Sequence, residues 1–180
     1  MNEFLYKKLV VVGTTGSGKS TLAEQLAGKL GGDFIELDAL NWGTNWTPAD
    51  DEVLRSRVEQ ATLSSCWVVA GNYSKTRHIT WPLADAIIWL DYSFPLVFWR
   101  LTVRTFRRAL TQEELWNGNR ERFWWHFKLW SDESLFHWLF KSYWRRKREY
   151  PGLFAQPEYS HLKIIRFKKP RETADWLRAL

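Results

Sequence analysis

The sequence predicts an α/β fold in which helices cover both faces of a parallel β-sheet. Five short apolar runs have the length of strands, and segments with helical spacing separate the first three of these runs. Alternating apolar strands and helices are typical of a parallel sheet with right-handed crossovers. A chain of 180 residues has the size of one domain, so we expect a single domain over residues 1–180. The predicted strands are residues 9–12, 34–37, 67–70, 86–90 and 162–167.

The first two predicted strands are each followed by a helix signal. Residues 19–30 carry Leu and Ala at helical spacing and stop at Gly31 and Gly32. Residues 50–64 follow Thr47 and Pro48, which are typical of a helix cap and a first turn. The third and fourth strands end at a glycine and an aspartate, with no linker or repeat between the elements.

The segment 94–148 interrupts this alternation, because it is helical, rich in Trp and Arg, and without a strand signal. We interpret it as an insertion between the fourth and fifth strands. Residues 100–150 contain 12 Lys or Arg and six acidic residues, so this region holds the entire net charge of +6. Such a concentration predicts an anionic partner: a nucleotide, nucleic acid or membrane headgroups.

Composition excludes several other classes of protein. An aromatic content of 17% argues against disorder. Cys66 has no partner within the chain, which excludes a disulfide scaffold and favours the reducing cytoplasm. No apolar stretch reaches the roughly 18 residues that a membrane-spanning helix needs.

Residues 13–20 match the pattern Gly-x4-Gly-Lys-Ser/Thr between a predicted strand and a predicted helix. In this motif the backbone N–H groups and the helix N-terminus bind phosphate oxygens. Lys19 would bridge the β- and γ-phosphates, and Ser20 would ligate Mg²⁺. The sequence therefore predicts a P-loop that binds ATP and Mg²⁺. The predicted nucleotide-binding residues are Gly13, Thr14, Thr15, Gly16, Ser17, Gly18, Lys19, Ser20 and Thr21.

Two acidic residues end the second predicted strand. By two-residue alternation, Glu36 and Asp38 would face one side near the carboxyl edge of the sheet, where ligands of open α/β folds bind. We favour Asp38, which could accept a proton from an attacking hydroxyl, bind a sugar hydroxyl or hold a water on Mg²⁺. The alternative is a helix cap or a solvated turn residue.

The third predicted strand leads directly into Gly71, which permits close approach to a ligand. Asn72 and Tyr73 would hydrogen-bond the acceptor, and Arg77 would clamp an anionic group, unless this segment is a plain loop. Asp91 either reaches the metal or begins the following turn.

With these residues the chain resembles small P-loop proteins related to adenylate kinase, known as DNA topology modulation proteins or adenylate-kinase-like ATP-binding proteins. The resemblance implies a five-stranded parallel sheet with a mobile lid, and phosphoryl transfer from ATP. Relatives usually carry Asp-Gly-Asn after the third strand, whereas this chain has Ala70 in place of the acid. The resemblance rests on residues 13–20, 36–42, 67–73, 88–91 and 115–121.

The same resemblance implies that arginines of the lid region neutralise the transferred phosphoryl group. On a helix over 94–110, four arginines share one arc, and Arg104 and Arg108 are the favoured catalytic residues. The alternative is a solvated face with surface ion pairs. The apolar arc, Trp99, Val103, Phe106 and Leu110, is expected to face the core.

Two functions follow from these patterns. The favoured one is an ATP-dependent kinase, resembling nucleoside monophosphate kinases, that acts on a nucleotide or another small acceptor. The alternative is a nucleotide-binding regulator with weak ATPase activity that docks nucleic acid through Arg145-Arg146-Lys147-Arg148. A solvated charge run is the simpler interpretation of that cluster.

Overall fold

Five parallel strands form the central sheet in the order β2-β3-β1-β4-β5. The computed structural model describes residues 5–111, 114–119 and 135–180. The predicted fold class, a parallel sheet between helical layers, is confirmed. The lid insertion stays a prediction, and Arg120 and Glu121 of its expected loop lie outside the described residues. The strands are β1 (Lys8–Gly13), β2 (Asp33–Glu36), β3 (Trp67–Ala70), β4 (Ala86–Leu90) and β5 (Lys163–Phe167).

The helices agree with the sequence patterns in order but differ at several ends. The second strand ends at Glu36, one residue earlier than expected, because a short helix begins at Leu37. Helices α4 and α7 are not predicted by the patterns above, and α6 continues beyond residue 148. The helices are α1 (Lys19–Leu30), α2 (Leu37–Asn41), α3 (Asp51–Ala61), α4 (Arg77–Leu83), α5 (Phe94–Thr111), α6 (Leu135–Phe154) and α7 (Pro170–Ala179). Among the described residues, no helix combines the length and apolar character of a membrane span.

The strand side chains alternate between two buried cores, one on each face of the sheet. On β1, Leu9 and Val11 contribute to the core that contains α1 and α5, whereas Val10 and Val12 pack with residues of α3. All four side chains are fully buried, so the central strand has no solvated face. This explains why its sequence is a continuous apolar run rather than an alternating one.

The orientation of α5 differs from the prediction. Val97 and Leu101 are its buried apolar residues, while Trp99 and Leu110 are 65% and 83% exposed. The expected core arc was therefore wrong. The reason is the position of the P-loop, whose backbone packs beside Val97 and Leu101. The buried side of α5 is therefore the narrow face next to the arginines.

An ion cluster joins the end of β4 to β5 and α6. Asp91 is buried and accepts a hydrogen bond from Arg166 Nε at 3.0 Å, while Lys147 Nζ lies 3.7 Å from its other oxygen. Arg166 also lies over the ring of Trp89, with 4.3 Å between Cζ and the centroid. These pairings give Asp91 a structural role within the fold, and a role at the metal stays a prediction.

We expect Asp91→Ala to destabilise the fold, because two cations would then face each other without a counter-charge. The expected loss is about 1–3 kcal/mol of unfolding free energy, since the partner side chains remain partly solvated. Chemical denaturation measures it, with Asp175→Ala, which removes only exposed ion pairs on α7, as the matched control. Loss of Mg²⁺-dependent ATP affinity without loss of stability would contradict this structural role.

Candidate active site

The P-loop backbone adopts conformations that favour glycine. Gly16 and Gly18 have φ of 80° and 87°, in the left-handed region. A Cβ at Gly16 would also lie 2.5 Å from the carbonyl oxygen of Val97. The loop therefore curls tightly against α5 and leads into the N-terminus of α1, where N–H groups can bind phosphate.

Two arginines of α5 reach this loop. Arg100 donates to the carbonyl of Ser17 at 3.3 Å, and Arg104 donates to Thr15 Oγ1 at 3.4 Å. Arg107 and half-buried Arg108 line an open cleft with them, farther along the same helix. Thr21 lies exposed on the first turn of α1. The structure thus places predicted catalytic Arg104 at the P-loop and Arg108 about one turn beyond it.

Asn72 fastens the start of the P-loop to the end of β3. Its Oδ1 accepts from the backbone N–H of Gly13 at 3.1 Å, and its Nδ2 donates to the Gly13 carbonyl at 2.6 Å. Tyr150 of α6 donates to the same Oδ1 at 2.9 Å. The amide predicted to bind the acceptor is thus occupied within the fold, where it positions the P-loop.

Lys19 lies close to two carboxylates. Burial lowers its pKa, while the charges of Asp38 and Glu36 raise it and nearby Arg104 and Arg146 lower it further. Burial also raises the pKa of Glu36, although a hydrogen bond from Ser20 and the charge of Lys19 oppose this effect. Two acids and two further cations, from β2, α2, α5 and α6, are thus near enough to Lys19 of α1 for their charges to act on its ammonium group.

Ser20 and Glu36 fit a nucleotide-bound Mg²⁺. Glu36 is 9% exposed, and its buried Oε1 has no hydrogen-bond partner among the described residues. Hydroxyl and carboxylate oxygens suit Mg²⁺, which typically keeps waters and phosphate oxygens as its other ligands. The described part of the chain contains no group of three acidic, His or Cys residues that could hold a metal by itself. A role for Asp38 at the metal stays a prediction.

Asp38 lies in the first turn of α2 rather than at the end of a strand. The alternation argument for its direction therefore does not apply, yet its charge still acts on Lys19. Tyr73 donates to Asp38 Oδ1 at 2.7 Å. Burial and then the neighbouring carboxylate raise the pKa of Tyr73, so this phenol keeps its proton and holds the carboxylate in place.

Arg77 and Arg146 are both neighbours of the buried Tyr150, Arg77 across a shared pocket and Arg146 one turn earlier on α6. Both guanidinium charges act on the phenol of Tyr150. Arg77 lies over the ring of Trp81, with 4.9 Å between Cζ and the centroid, and lines a small pocket with Tyr73 and Tyr150. Burial lowers the pKa of Arg146, whereas the nearby Asp38 raises it. Sequence reasoning missed Arg146, because it stands within an ordinary run of basic residues.

The four basic residues of that run point to different surroundings. Arg146 belongs to the site, Lys147 contacts Asp91, and Arg145 lies 3.9 Å from Glu149 on the same helix. Among the described residues, Arg148 is the member of this run without such a partner, and its side chain is exposed. This division does not favour the continuous basic face that the nucleic-acid alternative requires.

The segment 115–119 docks on the loop that follows α2. Buried Asn119 accepts from Trp46 N at 2.8 Å and donates to the Gly43 carbonyl at 2.8 Å, while Asn117 donates to the carbonyl of Trp42. Trp46 makes edge contacts with Trp42 and Trp116. The segment is therefore held against the loop that follows α2 by side-chain hydrogen bonds and aromatic packing.

The comparisons with known proteins bear on the fold. The family model "ATPase family associated with various cellular activities (AAA)" matches residues 9–91, slightly less than half of the chain. No curated protein sequence matches the chain.

Several solved kinases have a similar fold. A shikimate kinase from Acinetobacter baumannii in complex with shikimate has a TM-score of 0.54 and 15% identity, covering 97% of this chain and 90% of that one. A sugar kinase from Janibacter sp. HTCC2649 has a TM-score of 0.53 and 19% identity, with coverages of 97% and 92%. A gluconokinase from Sinorhizobium meliloti 1021 has a TM-score of 0.51 and 19% identity, with coverages of 96% and 92%. At these identities the likeness establishes the fold.

We expect Glu36→Gln to raise the melting temperature at pH 7–8 while weakening Mg²⁺-dependent ATP binding. The raised pKa of Glu36 means that its ionised form costs stability, a cost absent below the ordinary value of 4.5 and increasing as pH rises towards the folded-state pKa. Removing a penalty of about 1 kcal/mol shifts Tm by about 2–4 °C in a domain of this size.

Thermal unfolding at several pH values checks this prediction. The difference between the two proteins should vanish near pH 4, about where Glu36 is protonated in both states. Asp33→Asn, which removes an exposed carboxylate from the same strand, is the matched control. A stability gap independent of pH would contradict the assignment to ionised Glu36.

Proposed function

We propose that this chain, which has a P-loop and the fold of small-molecule kinases, is an enzyme that transfers the γ-phosphoryl group of ATP to a nucleotide or another small hydroxyl or phosphate acceptor. The observation that carries the proposal is the proximity of P-loop Lys19 to Asp38 and to arginines of two helices. A site that only binds nucleotide needs the P-loop and its lysine. The Asp38 carboxylate is an additional group, and an acceptor would lie beside it. We place this activity in the cytoplasm, consistent with the lone Cys66.

On the donor side, the N–H groups of residues 13–20 and the N-terminus of α1 would bind the phosphates. Lys19 and Arg104 would neutralise charge on the transferred group, with Arg108 completing the arginine side when ATP is present. Ser20 and Glu36 would hold Mg²⁺, which supplies charge neutralisation on the phosphate oxygens.

On the acceptor side, Asp38 would accept the proton of an attacking hydroxyl. The hydroxyl oxygen forms a bond to the γ-phosphorus, the bond from that phosphorus to the β-phosphate oxygen breaks, and ADP leaves with the bonding electrons. The proton passes to Asp38, whose other partner, Tyr73, keeps the carboxylate oriented. The kinase subtype is thus set by what occupies the space between Asp38 and Arg77.

The test is ADP formation by the purified protein with Mg²⁺ and ATP, alone and against nucleoside monophosphates, nucleosides, sugars and hydroxy acids. We expect one acceptor class to stimulate turnover, and Lys19→Ala to lower it by about 10²–10³-fold through loss of phosphate stabilisation. ATP binding without stimulation by any acceptor would contradict the kinase proposal and favour a nucleotide-binding regulator.

We further expect Asp38→Asn to lower acceptor-dependent turnover by about 10²–10⁴-fold, because the amide cannot accept the proton. ATP affinity, measured by calorimetry, should change by no more than about twofold, since Asp38 lies beyond the donor phosphates. Asp51→Asn is the matched control, because Asp51 is exposed and pairs with Lys75 on the surface. Equal losses of ATP affinity and turnover would place Asp38 on the donor side.

A further inference from the structure

Two half-buried arginines on the acceptor side, Arg77 and Arg146, have no carboxylate partner within the part of the chain that the structure describes. Among the described residues, Arg77 makes its contact with the ring of Trp81, and Arg146 donates to Ser142 Oγ at 3.3 Å. Neither has an ion pair with an acidic residue of the described chain, although Asp38 attracts Arg146 from beyond ion-pair distance. Two guanidinium groups in partly desolvated surroundings need a counter-charge.

Tyr150, which lines a pocket with Arg77 and follows Arg146 by one turn on α6, does not provide this counter-charge. Burial raises the pKa of its phenol, and its hydroxyl is occupied as a donor to Asn72. The phenol therefore stays neutral and serves to hold α6 against the P-loop. Since no acidic side chain of the described residues pairs with either arginine, a ligand is the source of counter-charge that we consider. The planar forks of arginines suit carboxylate or phosphate oxygens.

We infer that the phosphoryl acceptor is a hydroxyl compound with a separate anionic group, and that Arg77 and Arg146 bind this group. The inference rests on the proposed function and names its acceptor class. The anionic group would lie at the arginines, and the reacting hydroxyl would lie at Asp38. The carboxylate and the arginines thus hold opposite ends of one small molecule.

The position of Asp38 argues for a hydroxyl rather than a phosphate as the nucleophile. A phosphate acceptor attacks through an oxygen that is already ionised, so it needs no proton acceptor, and Asp38 and Glu36 would repel it. A hydroxyl must lose its proton to the carboxylate as its bond to the γ-phosphorus forms and the bond to ADP breaks. Tyr73 holds Asp38 in place by a 2.7 Å hydrogen bond, as a carboxylate that accepts this proton requires.

The direct test measures anion binding while the P-loop is occupied. Calorimetry with sulfate and with malonate, in the presence of Mg²⁺ and a non-hydrolysable ATP analogue, separates a tetrahedral anion from a carboxylate. We expect one saturable site for at least one of the two anions. Its affinity should fall by about tenfold or more in Arg77→Ala and in Arg146→Ala, the loss typical of a charge-assisted hydrogen bond.

Arg171→Ala is the matched control, because Arg171 is exposed on α7 and pairs only with Asp175. Arg77→Lys and Arg146→Lys keep the charge and guard against misfolding of the alanine variants; they should bind with intermediate affinity. Absence of a saturable site in the wild type, or equal affinity in both alanine variants and the wild type, would overturn the assignment to these arginines.

Turnover separates this inference from the proposed function. The stimulating acceptor is compared with an analogue whose anionic group is replaced by an uncharged one, and KM should rise by about tenfold or more in the wild type but change little in Arg77→Ala. Turnover of nucleoside monophosphates that survives Asp38→Asn would overturn the hydroxyl assignment. Anion binding with no acceptor-dependent turnover would contradict the kinase while leaving the arginine site standing.

Discussion

The side chain of Asn72 joins three parts of the site at one point. It hydrogen-bonds both backbone groups of Gly13 and accepts from Tyr150, so the P-loop, the end of β3 and α6 have a common anchor. Each such bond adds only about 1 kcal/mol, but an unpartnered buried group costs more than the bond contributes. The direction of the phosphate cradle and the position of Arg146, one turn before Tyr150, both depend on this anchor.

The charged side chains around Lys19 are positioned by that arrangement. Lys19, Arg104 and Arg146 are brought together with Glu36 and Asp38, and burial opposes the charged forms of Lys19, Glu36 and Arg146 alike. In the proposed reaction, the negative charges of a bound nucleotide would relieve the mutual repulsion of the cations, and Mg²⁺ would relieve that of the acids. The protein thus holds its charges in place before the reaction, which spares the cost of reorganising solvent dipoles during transfer.

The features that could be predicted from the sequence are those that depend on residues close together in the chain. The P-loop is a local motif, and its strand, glycines and helix follow one another along the chain. Arg146 is different, because it reaches Lys19 only through the packing of α6, 127 positions away in the chain. The predicted buried face of α5 was wrong for a similar reason. Aromatic residues at helical spacing usually indicate the buried face of a helix, but here the P-loop backbone packs against a different face of α5.

Asp38 illustrates a middle case. Its neighbourhood could be predicted from the end of an apolar strand, whereas its orientation could not, since the strand ends at Glu36 and the helix α2 begins at once. Likewise, Asn72 was placed at the correct edge of the sheet, but the pairing of its amide with Gly13 depends on the distance between adjacent strands. No pattern within either strand encodes that distance.

The alanine at position 70 becomes understandable from the register of the sheet. Ala70 is fully buried and pairs directly with Glu36 on the adjacent strand. Paired residues of parallel strands project from the same face, so an aspartate at 70 would place a second buried carboxylate beside Glu36, and like charges at that distance disfavour ionisation of both. The acid that hydrogen-bonds Ser20 in this chain is Glu36, which stands on β2. Compared with the family that it resembles, this chain thus carries the carboxylate on the adjacent strand. Ala70 adds no second negative charge that would oppose the ionisation of Glu36 beside Lys19.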